Sequence, residues 1–331
     1  MDVAFEDLTH AGWSPVIHLA RLTARLFGGT FLRFPMRRPG AAERLANLRR
    51  RAGGLQEAIL LMIRGPADMH WARSLPAFRA GYRRVAVWIF DSFWTDYLPP
   101  AVALRDIDLI VLIRDDELPA WTPRAPGRVI ALPWGADVLR MGRGAGPRGT
   151  DVLRIGRQPP EWDDDAASAA EAARARLTFR GRLPLIDDPV ENQAALMAAY
   201  GDARFAVAFS NRVAPAPYTH PTREYLTGRW TDALACGATV AGIAPQDDST
   251  SALLWPGATL DFDRIDRAAN LAALRAACDG WTEAQAIRNH RMALARLDWR
   301  WRLATLADRL SLSPPALAAE LAELRQAAGA A

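Results

Sequence analysis

Short apolar runs that alternate with helical patterns constrain the fold of this chain more than any other feature of its sequence. In the first half of the 331 residues, six runs of strand length are separated by stretches in which apolar residues recur at helical spacing. These runs are VAFED (3–7), TFLRFP (30–35), AILLMI (58–63), RVAVWIF (84–90), LIVLI (109–113) and RVIALP (128–133). Strands that alternate with helices in this way predict a parallel sheet with helices on both faces.

The alternation restarts after MGRGAGPRGT (141–150), a Gly-rich segment without apolar periodicity that predicts a linker. The strand-length runs that follow are DVLRIG (151–156), LTFRG (177–181), RFAVAFS (204–210), TVAGIAP (239–245) and ATLDF (258–262). We therefore predict an α/β protein with two Rossmann-like, doubly wound domains, at 1–145 and 146–310, that face a central cleft. A C-terminal helix is predicted at 311–331.

The composition indicates a globular protein, since half of the residues are apolar and 24% are charged. All 41 basic residues are arginines, and the net charge of +4 is small for this length. No zinc-finger, helix-turn-helix or RNA-binding pattern accompanies the charge, so no nucleic-acid partner is expected. Arginines cluster within residues 36–51, which form either a solvated helix face or a peripheral contact with acidic lipid headgroups. An acidic N-terminus and the lack of a long apolar run predict a cytoplasmic protein, with membrane-peripheral attachment as the alternative.

The segment REYLTGRWTDALACGATVAGIAP (223–245) carries the strongest functional pattern in the chain. GRWTDALACG within it predicts a helix that ends at its final glycine. The free amides of its first turn predict an anion site, to which Thr227 adds a hydroxyl and Arg229 a charged fork suited to phosphate. Gly228 permits close approach of the backbone to a ligand. A surface ion pair between Arg229 and Asp232 is the alternative explanation.

Glu224, seven intervening residues, Asp232 and then ALACGATV resemble the E-x7-E motif of GT-B glycosyltransferases, especially those of family 4. The resemblance implies that Glu224 is a catalytic-site residue that orients the donor sugar, that Asp232 binds the ribose, and that residues 227–229 hold the phosphates. The sequence departs from the motif by the shorter Asp232 and by Thr239 in place of a proline. It is also similar to the Thr-Glu-Lys motif of family 10 fucosyltransferases. Inversion therefore stays open, although the spacing of the two acids favours retention.

The same resemblance extends to other segments. VLRIGR (152–157) is similar to the opening of the second GT-B domain, which implies that Arg157 meets the diphosphate, with Arg180 and Arg182 as helpers in a chain without lysine. VIALPWGAD (129–137) and RLDWRWRLATLADRL (296–310) resemble the end of the first domain and the helix that packs back near the C-terminus. The substrate-binding candidates are therefore Arg157, Arg182, Asn211, His220, Thr227, Gly228, Arg229 and Asp232.

The first domain is expected to supply the acceptor side of the site. If the reaction inverts configuration, the expected base is Asp91 or His70, since each follows a predicted strand. Aromatic side chains next to Asp91 predict a stacking surface for a sugar; they are Phe93, Trp94 and Tyr97. Asp115 and Asp116 are interpreted as acids that start a helix.

Neither a metal site nor a cofactor is expected, because arginine–phosphate pairing would stabilise the leaving group. The acidic runs at 163–165 and 261–263 are interpreted as a helix start and as a segment after the last strand. The sequence thus predicts a glycosyltransferase that moves a sugar from a nucleoside diphosphate donor to a hydroxyl acceptor on a glycan, lipid or small molecule. A non-catalytic nucleotide-sugar-binding partner, or an epimerase or phosphorylase on the same fold, are the alternatives. A dinucleotide-dependent oxidoreductase is disfavoured, since FEDLTHAGWSPV (5–16) lacks G-x-G-x-x-G.

Overall fold

The computed structural model describes residues 1–7, 11–35, 37, 40–48, 55–69 and 80–329. The chain divides into two compact units, and each has its own sheet. Unit 1 contains Met1–Pro133 and Arg302–Leu321, and unit 2 contains Trp134–Trp301 and Ala322–Ala331.

Unit 1 is built on a six-stranded sheet in which the described strands pair in parallel. The strands are β1 (Asp2–Glu6), β2 (Phe31–Phe34), β3 (Gln56–Ile63), β4 (Tyr82–Ile89), β5 (Leu109–Leu112) and β6 (Val129–Ala131). Their order across the sheet is β2-β1-β3-β4-β5-β6. The described helices of its first 133 residues are α1 (Ser14–Leu26), α2 (Ala41–Leu48), α3 (Ala101–Leu104) and α4 (Leu118–Trp121).

Burial explains why this sheet forms where the apolar runs lie. The side chains of β5 are all buried, as are those of β3 from Ala58 to Ile63. Parallel strands covered by helices on both faces have apolar residues at consecutive positions, which is the pattern seen in the sequence. In α1 the predicted apolar face is buried, namely Val16, Leu19, Ala20, Leu22 and Leu26.

Unit 2 carries a five-stranded sheet that is also parallel, with the order β11-β10-β9-β7-β8. Its strands are β7 (Thr150–Arg154), β8 (Phe179–Arg180), β9 (Ala203–Phe209), β10 (Thr239–Ile243) and β11 (Thr259–Asp261). Its helices are α5 (Val138–Met141), α6 (Asp165–Arg174), α7 (Pro189–Asp202), α8 (Gly228–Ala235), α9 (Asp248–Leu253), α10 (Arg267–Asp279) and α11 (Glu283–Arg296). The last two helices, α12 (Trp299–Arg309) and α13 (Pro315–Gly329), contribute residues to both units.

The strand order of unit 2 reverses between β7 and β9. The chain leaves β7 for β8 at one edge of the sheet and then returns to add β9, β10 and β11 on the other side of β7. In sheets of this kind, ligands bind outside the carboxyl ends of the strands at the point of reversal. The loops that follow β7 and β9 are therefore where a site of unit 2 is expected.

The predicted α/β class with two successive parallel sheets is confirmed, and each predicted strand run overlaps a strand. The units differ from the predicted ranges 1–145, 146–310 and 311–331, because the division falls between Pro133 and Trp134 and residues 302–321 join unit 1. The predicted linker 141–150 lies inside unit 2.

A buried guanidinium ties this Gly-rich segment to unit 2. Arg148 is 8% exposed and donates hydrogen bonds to the backbone oxygens of Ala203 and Cys236, at 2.5 and 2.8 Å. It also donates to the carbonyls of Gly144 and Tyr200, both at 3.3 Å. One side chain thus satisfies carbonyl groups near the ends of α7 and α8, so a segment with the composition of a linker is packed in place.

The Arg-rich region 36–51 is only partly described. Residues 36, 38, 39, 49, 50 and 51 lie outside the described residues, and Arg37 pairs with Glu43 on α2. Contact of this region with lipid headgroups stays a prediction. Among the helices in the described ranges, none has the length and hydropathy that crossing a membrane requires.

We expect Arg148→Met to lower the free energy of unfolding by about 3 kcal/mol, because it leaves several buried carbonyl groups without a donor. Urea unfolding followed by circular dichroism measures the change. Arg174→Met, at an exposed arginine of α6, is the control and should shift stability by less than about 0.5 kcal/mol. Equal stability of the two variants would show that Arg148 does not hold the segment in place.

Candidate functional site

The amino end of α8 lies in the predicted phosphate-binding segment. Thr227 precedes the helix with an extended backbone (φ −131°, ψ 175°), and its carbonyl accepts the amides of Trp230 and Thr231. Its hydroxyl makes no capping bond and has no hydrogen-bond partner among the described residues, although it is buried. Because no described side chain caps this end, the amides of Gly228 and Arg229 stay available to an anion.

The carboxyl end of α8 is closed by the predicted glycine. Gly237 has φ +78°, a left-handed conformation that glycine adopts without strain. Its amide donates to the carbonyl of Leu234, and the amide of Ala238 donates to that of Ala233, both at 3.0 Å. This end-capping pattern fixes the helix length and hence the position of its first turn.

Two arginines meet beside the amino end of α8. Arg229 Nη1 donates to the carbonyl oxygen of Arg157 at 3.1 Å. The guanidinium of Arg229 lies 4.8 Å from the ring centre of Trp230, and that of Arg157 lies 5.1 Å from the ring centre of Tyr218. We call Arg157 and Arg229 the arginine pair. In the part of the chain that the structure describes, neither forms an ion pair with a carboxylate.

The charge of the arginine pair is uncompensated. Burial, and then the neighbouring charge of Arg157, lower the pKa of Arg229 to about 10. Arg157 Nε is buried without a hydrogen-bond partner among the described residues. Two like charges that lie against aromatic faces, and that have no carboxylate partner among the described residues, are suited to bind an anion, which would relieve their repulsion.

Gly156 brings the β7 loop against this pair. It has φ +74°, and a Cβ atom at this position would lie 2.7 Å from Arg229 Cδ. A larger residue would be strained in the backbone and would also displace the Arg229 side chain. The glycine therefore permits the close approach on which the contact between the two arginines depends.

Asn211 and His220 hold the loop that follows β9. Asn211 is 2% exposed, and its Nδ2 donates to the carbonyls of His220 and Arg223 at 3.1 and 2.7 Å. His220 Nδ1 accepts the amides of Thr222 and Arg223. Asn211 Oδ1 and the neighbouring Ser210 hydroxyl are buried without partners in the described part of the chain. Both predicted residues have a structural task here, and their contact with substrate stays a prediction.

The two acids of the predicted motif lie in different surroundings. Glu224 is 8% exposed, accepts the amide of Gln246 at 3.1 Å and lies 3.9 Å from the Arg212 guanidinium. Asp232 is 2% exposed and accepts from Gln193 Nε2 at 3.0 Å. The alternative of a surface pair between Arg229 and Asp232 is therefore wrong, because Asp232 is buried against α7.

Arg182 pairs with an acid that it shares with Arg154. Its Nη2 donates to Asp163 Oδ1 at 2.9 Å, and it is 58% exposed. The fully buried Arg154, at the end of β7, pairs with the same carboxylate and with Asp165. These contacts place Arg182 with the acidic start of α6, and a phosphate-binding role for it or for the exposed Arg180 stays a prediction.

In unit 1, Asp91 follows β4 at the carboxyl edge of the sheet, and its amide donates to the Arg64 carbonyl at 2.6 Å. Arg64 Nε in turn pairs with Glu6 Oε2 at 2.7 Å, and Arg64 Nη2 lies 3.7 Å from Asp68 Oδ1. His70, the other predicted base, lies outside the described residues.

Sequence reasoning missed Glu6, which is fully buried at the end of β1. Burial, and then the charge of Asp68, raise the pKa of its carboxyl to about 7, while Arg64 opposes the shift. The signal available in the sequence was an acid that directly follows three consecutive apolar residues of a strand.

The aromatic residues beside Asp91 divide between core and surface. Phe93 is fully buried, whereas Tyr97 is 62% exposed, with its ring centre 5.8 Å from that of Trp94. Trp94 and Tyr97 can therefore form a stacking surface and Phe93 cannot. Asp115 and Asp116 begin a single 3-10 turn, as their interpretation as helix-starting acids predicts.

No protein-family model and no curated protein matches the sequence. Among solved structures, a TarM variant from S. aureus, in complex with fondaparinux, alpha-GlcNAc-glycerol and UDP, is similar with a TM-score of 0.45 and 8% identity over 76% of this chain and 55% of that chain. Spinosyn rhamnosyltransferase SpnG, complexed with thymidine diphosphate, has a TM-score of 0.46 and 12% identity over 94% of this chain and 100% of that chain.

Accessory secretory protein 1, 2 and 3 of Streptococcus pneumoniae has a TM-score of 0.44 and 11% identity over 76% of this chain and 53% of that chain. This chain thus spans little more than half the length of that protein and of TarM. At identities this low, the activity has to be inferred from the site itself.

We expect the stability of the wild type to fall between pH 4.5 and about 7, relative to Glu6→Gln. Over this range the folded state keeps the Glu6 proton and the unfolded state releases it, so each rise in pH favours unfolding. The relative loss should be on the order of 2–3 kcal/mol. Urea unfolding of both proteins at pH 5 and pH 8 measures it, with Glu57→Gln, at a 52% exposed glutamate of β3, as the control. A difference that does not change with pH would contradict the raised pKa.

Proposed function

We propose that this chain is a GT-B glycosyltransferase that transfers a sugar from a nucleoside diphosphate donor to a hydroxyl group of a glycan, lipid or small molecule. The observation that carries the proposal is the arginine pair. Two guanidiniums without carboxylate partners in the described residues lie beside an uncapped helix end, at the carboxyl edge of a doubly wound sheet. A diphosphate matches the charge and the donor groups of such a site.

The same groups suit the chemistry of transfer. As the glycosidic bond breaks, negative charge builds on the diphosphate that leaves. Arg157, Arg229 and the first-turn amides of α8 are donors that are already in place, so they can stabilise this charge without reorganisation. The aromatic rings of Tyr218 and Trp230 keep the two guanidiniums oriented before a ligand binds.

The remaining predicted residues take complementary roles in the proposal. Glu224 orients the donor sugar, and Asn211 and His220 shape the loop that borders it. Asp232 binds the ribose, whose hydroxyls would replace Gln193 Nε2 as the partner of the carboxylate. Thr227 and Gly228 contact the phosphates; the buried Thr227 hydroxyl, which has no partner among the described residues, and the lack of a side chain at Gly228 support this placement.

Retention of configuration is the favoured outcome, because it matches the resemblance to family 4. The leaving phosphate can then accept the proton of the acceptor hydroxyl, and no separate base is required. If the enzyme inverts, Asp91 at the carboxyl edge of unit 1 is the base. Glu6 is not a candidate for this role, since its side chain is fully buried.

A nucleoside diphosphate should bind the wild type, and Arg157→Gln or Arg229→Gln should weaken its affinity about tenfold or more, because each loses a charge-assisted hydrogen bond worth about 1.5–3 kcal/mol. Isothermal titration calorimetry with UDP, GDP, ADP, CDP and dTDP measures this. Arg174→Gln is the matched control and should bind like the wild type. The proposal is wrong if none of the five nucleotides binds the wild type at millimolar concentration.

Arg229→Gln should lower kcat more than it raises KM, because Arg229 acts on charge that develops as the bond breaks. Release of nucleoside diphosphate from the preferred nucleotide sugar, measured over a range of donor concentrations, separates the two constants. A rise in KM at unchanged kcat would instead assign Arg229 to ground-state binding. Binding of the nucleotide sugar without any turnover would favour the non-catalytic partner.

A further inference from the structure

A recess in unit 2 begins at Gln158, the residue after Arg157 of the arginine pair. It has a volume of about 510 Å³ and is lined by Gln158, Pro159, Pro160, Asp163, Asp164 and Pro215. The first five residues follow β7 and lead into α6, whereas Pro215 belongs to the loop after β9. The recess therefore lies between the loops that follow β7 and β9, where the strand order of unit 2 reverses. We call it the proline pocket.

The polar groups of the proline pocket accept hydrogen bonds. Asp163 and Asp164 contribute carboxylates. The Nε2 of Gln158 donates to the backbone oxygens of Ile155 and Val207 at 3.1 and 3.3 Å, which fixes the orientation of the amide. The Gln158 Oε1 accepts no hydrogen bond among the described residues, although the residue is 8% exposed. A buried amide oxygen without a donor is costly, so this atom marks a place for a donor from outside the chain.

The negative charge of the two pocket carboxylates is largely compensated by neighbouring arginines and a helix amide. Asp163 pairs with Arg154, which is fully buried, and with Arg182. Asp164 Oδ1 accepts the amide of Ala167 at 2.9 Å and so caps α6. The carboxylates keep lone pairs for further hydrogen bonds, while the arginines and the cap reduce their attraction for a free cation. A phosphate is disfavoured here, because the donor side chain of the lining, Gln158 Nε2, already binds two backbone carbonyls.

The remaining walls are three proline rings, which present C–H surface and no donor. A ligand that suits both kinds of wall has an apolar ring face and an edge of hydroxyl groups that donate hydrogen bonds. Sugar rings have this chemistry. The volume lies in the range of about 300–1,000 Å³ that small-molecule sites occupy.

We propose that the proline pocket binds the sugar ring that is transferred, on the side of the ring away from Glu224. This inference rests on the proposed function for the neighbouring phosphates. Gln158 follows Arg157 directly, so their Cα atoms are about 3.8 Å apart. Pro215 and Tyr218 belong to the same loop, and Tyr218 covers the Arg157 guanidinium. A ligand with its phosphates on the arginine pair thus has a hydroxyl-accepting pocket within one residue of them.

Two variants test the pocket without altering the arginine pair. Pro160→Trp fills it from an exposed position, and Asp163→Ala removes an acceptor while Arg154 keeps Asp165 as its partner. Pro256→Trp, at an exposed proline of the same unit, is the matched control. Isothermal titration calorimetry compares the affinity of each protein for pyrophosphate, UDP and UDP-glucose. If the nucleotide panel selects another base, its nucleoside diphosphate and nucleotide sugar replace UDP and UDP-glucose.

Pyrophosphate and UDP should each bind all four proteins equally, whereas the two pocket variants should lose about tenfold or more in affinity for UDP-glucose. Equal loss for UDP and UDP-glucose overturns the inference, because the pocket would then act on the nucleoside part of the donor and not on the transferred sugar. Unchanged affinity for all three ligands overturns the inference and leaves the proposed function standing. Equal loss for pyrophosphate also overturns it, since the substitutions would then act through the arginine pair.

If the wild type binds neither pyrophosphate nor any nucleotide, the proposed function fails and the pocket is tested by itself. Saturation-transfer NMR with methyl riboside and methyl glucoside at millimolar concentration detects weak binding of free sugars. A signal in the wild type that is lost in Pro160→Trp and kept in Pro256→Trp supports a sugar pocket. No signal for either sugar in the wild type overturns it.

Discussion

Parallel pairing of the strands is the constraint on which the rest of the structure depends. A parallel strand must be followed by a crossover, so the strands of one sheet direct their carboxyl ends to the same edge. In unit 1 this brings Glu6, Arg64 and Asp91 together, although they follow three different strands. In unit 2 it places the loops after β7 and β9 side by side, and with them Arg157 and Tyr218. Strand order alone thus selects which polar residues become neighbours.

Two pairs of arginines in unit 2 lie in different environments. Arg154 and Arg182 meet the carboxylate of Asp163, whereas Arg157 and Arg229 lie against aromatic rings. An aromatic face holds the plane of a guanidinium and leaves its N–H edge available, which a carboxylate would occupy. The compact ammonium of lysine has no such plane. Two guanidiniums, unlike two ammonium groups, can therefore be held in a fixed orientation side by side until an anion binds.

The strand positions could be predicted from the sequence, because a strand that is buried on both faces has consecutive apolar residues. The position of α8 could be predicted because a glycine follows its last turn. The unit boundary could not, since Arg148 ties a Gly-rich segment to carbonyls far along the chain. The burial of Asp232 against Gln193 and the stacking of Tyr218 on Arg157 could not be predicted either, because both are contacts between residues far apart in the sequence. Glu6 was missed because the pKa of its carboxyl depends first on burial and then on Asp68, and only the folded sheet provides either.

The way Asn211 holds its loop has a consequence for how such a site can change. The Asn211 amide donates to the carbonyls of His220 and Arg223, and Ala214 is buried in the core. Both ends of the loop are therefore fixed. The tip at 215–219, which carries Tyr218 and one wall of the proline pocket, lies between these anchors. Substitutions at tip positions other than Tyr218 would leave the sheet and the arginine pair in place. Ligand preference can therefore diverge among descendants of this chain through a few tip residues, with little penalty in stability.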